Sequence, residues 1–245
     1  MVVNPKFASS VILYRLKNSI NKSNQCNFEV FLIQRAKSMR FLGGVHAFPG
    51  GKLEEDDYSD INITRCKGLD KFKAHQLILD KKTYHDNENY SLGFWIAGIR
   101  EIFEEIGLLF AYNKEINLIN LIDQKYKEKF DIYREKLIAD QIILSEIMLK
   151  EDLYYAIDRL YYFKHFITPE ISPIRYDTRF FLAEMPPNQL LKPDSTEIIS
   201  AEWCCPTDAI KRYRKKQIIL IPPQYSCLSN LCKIVDIGDF CSSLS

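Results

Sequence analysis

Apolar residues run along this chain in two rhythms. Between Ala8 and Lys17, and again between Phe28 and Arg35, β-branched, aliphatic and aromatic residues cluster, which predicts two strands. The polar stretch Asn18–Asn27 between them reads as a hairpin loop. Val45–Phe48 reads as a short strand entering a glycine turn, and Tyr58–Ser91 as a polar excursion with a helix near Lys71–Lys81. Apolar positions then recur at helical spacing. Ile99, Ile102, Phe103, Ile106 and Phe110 form one stripe of a helix expected over Phe94–Phe110 and closed near Gly107. Asn120–His165 keeps a spacing of three to four with many Lys and Glu, and predicts two or three helices. Arg175–Ala183 and Thr196–Cys204 read as strands, and Pro206–Lys216 as a helix. Strands on both sides of helices imply an α/β sandwich.

Opposite the stripe of the Phe94–Phe110 helix lie Glu101, Glu104 and Glu105, at i, i+3 and i+4. Carboxylates this close repel unless a cation sits among them, and hard oxygen ligands suit Mg²⁺ or Mn²⁺. A solvated acidic face is the competing reading of three glutamates alone. Upstream, Phe48-Pro49-Gly50-Gly51 offers a turn in which the backbone can approach a ligand closely, and Glu54, Glu55, Asp56 and Asp57 follow at once.

Together these residues resemble the Nudix box, Gly-x5-Glu-x7-Arg-Glu-U-x-Glu-Glu-x-Gly-U with U aliphatic. Arg100, Glu101, Ile102, Glu104, Glu105, Gly107 and Leu108 match its second half. Two departures mark the first half. Asp57 stands where a glutamate is expected, and 42 residues, Tyr58–Ile99, fill a gap normally seven long. A long insertion at this point is similar to the acyl-coenzyme A diphosphatase group of the Nudix hydrolases. Arg35-Ala36-x3-Arg40-x3-Gly44-x3-Phe48-Pro49-Gly50-Gly51 resembles the additional motif of coenzyme A-cleaving members. Thr168-Pro169, Arg175–Ala183, Trp203 with Pro206, and Leu220-Ile221-Pro222-Pro223 continue the likeness.

The resemblance implies one Nudix domain over residues 1–245, an αβα sandwich with a mixed sheet. It is enlarged by an insertion at 58–91 within the box and a helical insertion at 120–165. It further implies Glu101, Glu104 and Glu105 as metal ligands, with Gly50 adding a backbone carbonyl. Glu104 and Glu105 are the catalytic carboxylates, and Arg100 orients an acidic neighbour such as Asp57 or Glu101. A surface ion pair is the plainer role for Arg100. Glu105, Glu170 and Glu197 are candidates for the general base. Arg35, Arg40 and Gly51 are expected at the substrate; the two arginines have a guanidinium fork suited to phosphate, or else simply flank a strand.

Composition changes this picture little. A net charge of +1 gives no argument for nucleic acid or membrane binding, and no apolar run approaches the roughly 20 residues that span a bilayer. Seven cysteines without a Cys-x-x-Cys pair read as reduced thiols. The chain start lacks the pattern of a signal peptide, and Ser243-Leu244-Ser245 is not a Ser-Lys-Leu address, so the expectation is a cytoplasmic protein. The aromatic stretch Tyr154–Phe166 reads as core or as a pocket lining, and the basic run Lys211–Lys216 as a solvated helix end or a phosphate contact. The functional expectation is a hydrolase of the coenzyme A or acyl-coenzyme A diphosphate, yielding 3′,5′-ADP and (acyl-)phosphopantetheine. Its substrate is a nucleoside diphosphate-linked small molecule. The alternatives are a diphosphatase for NADH, ADP-ribose, a nucleotide sugar or capped RNA, and an inactive Nudix-fold binding module.

Overall fold

The computed structural model describes residues 3–17, 26–39, 42–78 and 88–244. Its centre is a seven-stranded mixed sheet. β1 (Lys6–Leu16) pairs antiparallel with β2 (Phe28–Arg35) on one side and parallel with β9 (Tyr176–Glu184) on the other. β10 (Ile198–Cys204) extends the sheet beyond β2, and β8 (Leu160–Ile167) beyond β9. Two short strands complete it: β3 (His46–Ala47) on β2 and β4 (Gly50–Lys52) on β1.

Both faces of this sheet are covered, which explains why β1, β2 and β9 each contain a continuous apolar run, Val11–Tyr14, Val30–Ile33 and Phe180–Ala183. Side chains alternate between two cores. Val11, Leu13, Phe31, Ile33 and Phe181 point to a layer that contains Phe94, Trp95, Ile99 and Ile102 of α3 (Glu88–Ile106). Ile12, Tyr14, Val30, Leu32, Phe180 and Leu182 point to the opposite layer. That second layer is formed by α6 (Pro206–Arg214), α7 (Pro222–Leu231) and α8 (Ile237–Ser242). The arrangement is the αβα sandwich expected from the sequence.

A single 3-10 turn, Asp56–Tyr58, leads from β4 into the insertion. The insertion continues through α1 (Asp60–Thr64), β5 (Cys66–Lys67) and α2 (Lys71–Ile78). After α3 come β6 (Ala111–Tyr112), α4 (Gln124–Ile138), α5 (Leu144–Lys150) and β7 (Tyr154–Ala156). β5, β7 and β6 form a small second sheet in that order.

Several expectations need correction. Asn120–His165 is helical only in α4 and α5. Its last third is two strands joined by a 3-10 turn at Ile157–Arg159, because Leu160–Ile167 pairs with β9 and closes an edge of the main sheet. The box helix starts at Glu88, within the stretch assigned to the insertion, and stops at Ile106 rather than Phe110. Gly107 takes a positive φ there and ends it. Gly50-Gly51 is not a free turn but the short strand β4. α7 and α8 were not anticipated. The hairpin loop at 18–25, residues 79–81 of the helix expected near Lys71–Lys81, and Arg40 lie outside the described residues.

Trp95 ties α3 to the sheet. It is 1% exposed, packs against Phe181 with centroids 4.7 Å apart, and donates from Nε1 to the Leu160 carbonyl at 2.8 Å. Trp95→Phe leaves that carbonyl unpaired and opens a void, so it is expected to lower stability by about 2 kcal/mol. Urea unfolding of the two proteins measures the difference.

Candidate active site

The site starts from the contact between β4 and α3. β4 lies against Ala8–Ser10 of β1, and Gly50 there has a φ of 152°, with no room for a side chain because a methyl group would strike the Ser9 carbonyl. The Gly50 N–H donates to Glu105 Oε2 at 3.0 Å. A methyl group on Gly51 would run into the carboxylate of Glu101. The two halves of the motif, 42 residues apart in sequence, therefore touch.

Arg100 holds them together. It is 5% exposed and its guanidinium is fully engaged. Nε and Nη2 grip Asp57 Oδ1 and Oδ2 at 3.0 and 3.1 Å, and Nη2 also donates to the Lys52 carbonyl at 2.7 Å. Nη1 reaches Glu101 Oε1 at 2.9 Å and Glu104 Oε2 at 3.1 Å. Burial works against its charged form, but Asp57 first, then Glu101 and Glu104, outweigh that and hold it charged well beyond the usual arginine range. The surface-pair reading of Arg100 is thus excluded by its burial. Asp57 fills the place of the expected glutamate because the 3-10 turn carries it to Arg100, while its Oδ2 accepts from the Glu54 N–H at 2.8 Å.

The carboxylates on the outer side of α3 are crowded and desolvated. Burial pushes the Glu101 carboxyl up to about 8 against the pull of Arg100, and Glu104 and Asp57 raise it further. Burial likewise raises Glu104, opposed by Arg100. Glu105 is raised by burial and then by Glu101, while Arg35 and the Gly50 N–H resist the shift. Such a set of anionic, all-oxygen donors fits a hard divalent cation, whose charge would relieve the crowding. Among the described residues no three His, Cys, Asp or Glu side chains are already gathered as a metal cage. Arg100 Nη1 stands between Glu101 and Glu104 instead.

These groups border an open cleft of about 340 Å³. Arg35 lines it at the end of β2, with Nη1 3.7 Å from Glu105 Oε1, so it is a cleft residue and not a strand flank. Gly50, Gly51 and Glu197 line it too, whereas Glu170 sits exposed on the turn between β8 and β9. Of the aromatic stretch, Phe166 faces the cleft and Tyr155 is fully buried in the core. The run Lys211–Lys216 closes α6, is mostly exposed and does not line the cleft. Other cleft residues carried no signal of their own in the sequence. Asp140 and Asp194 border the acidic side in loops after α4 and before β10, and Gln224 borders the far wall. Asp194 is held there by its N–H, which donates to the Glu105 carbonyl at 2.8 Å.

The likeness to known proteins follows this geometry. The family model of the NUDT19 Nudix domain matches residues 6–231. The acyl-coenzyme A diphosphatase NUDT19 of Xenopus laevis is 27% identical over 242 residues, covering 89% of this chain and 63% of the relative. The human protein of the same name is 24% identical, covering 87% and 64%. The chain therefore spans a little under two thirds of the length of these relatives. A Nudix hydrolase from Alicyclobacillus acidocaldarius shares the fold with a TM-score of 0.76 at 24% identity, covering 99% of this chain and 97% of that one. With the box helix, the glycine strand and Asp57 joined through Arg100, the chain belongs to the NUDT19 Nudix domain family of Nudix hydrolases.

Proposed function

We propose that this protein is a metal-dependent hydrolase that splits the diphosphate of coenzyme A or acyl-coenzyme A into 3′,5′-ADP and (acyl-)phosphopantetheine. The observation that carries the reading is the contact of Gly50 and Gly51 with Glu105 and Glu101 across the long insertion, beside Arg35. The names of the NUDT19 relatives support the substrate. We further propose that residues 1–245 form one domain, and that seven cysteines outside any disulfide suit a reducing compartment such as the cytoplasm.

Glu101, Glu104 and Glu105 would hold Mg²⁺ or Mn²⁺, with the Gly50 carbonyl as a further ligand. The ion supplies charge neutralisation at the phosphates and a more acidic water. Glu105 accepts the proton of the attacking water. Its Oε2 is fixed by the Gly50 N–H, and its desolvated carboxyl is a stronger base than an exposed one. Arg35, within reach of Glu105, takes a phosphate oxygen of the substrate. Arg100 and Asp57 act as positioning residues, keeping Glu101 and Glu104 in register with β4.

Hydrolysis of coenzyme A is expected to require a divalent ion and to fall about a hundredfold or more in Glu104→Gln and Glu105→Gln, with the fold retained. A panel of coenzyme A, acyl-coenzyme A, NADH and ADP-ribose assayed with Mg²⁺ and Mn²⁺ checks both points. Full activity of both variants sinks the site, and a higher kcat/KM for NADH or ADP-ribose sinks the substrate.

The raised carboxyls also set a pH dependence. From the ordinary value of 4.5 up to about 8, the metal-free folded protein binds more protons at Glu101 than the unfolded chain does. Stability from this source is complete below that window and is lost as pH rises through it. Cation binding needs the ionised forms and gains over the same window. The melting temperature in chelator should drop between about pH 5 and pH 8, and added Mg²⁺ should raise it more at the higher pH. A Mg²⁺ effect of equal size at both ends would contradict this.

A further inference from the structure

Among the described residues, the wall of the cleft away from the glutamates is uncharged. Phe166 on β8 and Tyr176, Thr178 and Phe180 on β9 form its floor, and Pro223 and Gln224 of α7 stand over it. Strand alternation sets this floor. Asp177 and Arg179 are buried, with Arg179 lying over the Phe94 ring of α3, so the alternate residues Tyr176, Thr178 and Phe180 turn to the cleft, with Phe166 paired to Thr178. All the charged residues lining the cleft come instead from β2, β4, α3 and the segments beside them.

Gln224 is the unusual member of this wall. It is the third residue of α7, whose N-cap is Ile221 and whose first two positions are prolines. A glutamine at that position commonly turns back to the N-cap backbone. Here its Oε1 is buried without a hydrogen-bond partner, and the residue is 7% exposed. An unpaired buried acceptor is costly, which argues that the carboxamide is kept for a ligand. Its place is fixed, since Lys164 Nζ on β8 donates to Ser226 Oγ of α7 at 2.6 Å. The terminal torsion of a glutamine is soft, so a small turn presents the oxygen and the nitrogen together to the cleft.

We propose that this wall holds the adenine of the substrate and that Gln224 reads its amine edge. The inference rests on the nucleotide-diphosphate reading above and adds the half of the substrate that lies here. A carboxamide places one acceptor beside one donor, which matches the exocyclic amine and the adjacent ring nitrogen of adenine. Phe166 and Tyr176 supply aromatic surface for a flat base. A neutral ring also suits a wall without charge, leaving the phosphates to the side that carries Arg35.

Calorimetric titration of the whole chain tests this without turnover. The probes are AMP, purine riboside 5′-monophosphate (which lacks only the amine) and 4′-phosphopantetheine. AMP is expected to bind about tenfold more tightly than the purine nucleotide, in line with a good paired base contact. Gln224→Met should erase that preference and leave 4′-phosphopantetheine unchanged. Equal affinity of the native chain for the two nucleotides, or no binding of AMP, overturns the proposal and needs no variant to fold. A preference that survives in Gln224→Met, or a loss confined to 4′-phosphopantetheine, overturns it as well. A chain that prefers AMP but cleaves no coenzyme A would refute the proposed function alone. Cleavage of coenzyme A without an amine preference would refute the adenine wall alone.

Discussion

The buried pair of Arg100 and Asp57 is the constraint on which the rest of the site depends. Two charges taken out of water are tolerated only when their geometry is good and their remaining hydrogen bonds are met. Both conditions hold, since the fork is bidentate and the spare donors of Arg100 find Lys52, Glu101 and Glu104. Losing one partner of such a pair strands the other and costs roughly 3–5 kcal/mol. The pair also fixes three elements at once: the 3-10 turn, the end of β4 and the middle of α3. Since β4 is hydrogen-bonded to β1, the acidic side of α3 is registered against the centre of the sheet.

That registration gives the cleft its polarity. One guanidinium is shared by three carboxylates, so negative charge stays in excess around Glu101, Glu104 and Glu105. Glu54, Asp194 and Glu197 add to it from loops. Among the described residues Arg35 and Lys52 answer it from the strand side, Arg35 at 3.7 Å from Glu105 and so less firmly than Arg100. The excess favours a cation there, while among the described residues the far wall carries no charge.

Much of this was legible in the sequence because it is local. The three glutamates share a helix side by spacing alone, and the strands β1, β2 and β9 announce themselves by composition. Asp57 could be matched to a glutamate position because the glycine spacing survives. What was missed depends on distant partners. β8 is half-buried along nearly its whole length, so it shows no alternation, and its aromatic residues follow a genuinely helical stretch. α7 opens with two prolines, which look like loop but are acceptable at the first positions of a helix. Asp194 has no motif around it, and Gln224 stands just past Leu220-Ile221-Pro222-Pro223 without being part of it; the chain path brings both to the cleft.

The small sheet β5-β7-β6 joins segments that the sequence presents as two separate insertions. Cys66–Lys67 from the first lies parallel to Tyr155–Ala156 from the second. Tyr155 of the second donates its hydroxyl to Asn62 of the first at 2.7 Å, and Ser145 Oγ reaches Asp56 at 2.8 Å. Arg65 spans the same seam to the Leu153 carbonyl at 2.8 Å. Neither insertion is complete alone, since removing the first leaves β7 with a bare edge and the Tyr155 hydroxyl without Asn62. The two insertions are therefore structurally coupled: a chain that lost one would have to lose or rebuild the other, although residues 92–119 lie between them.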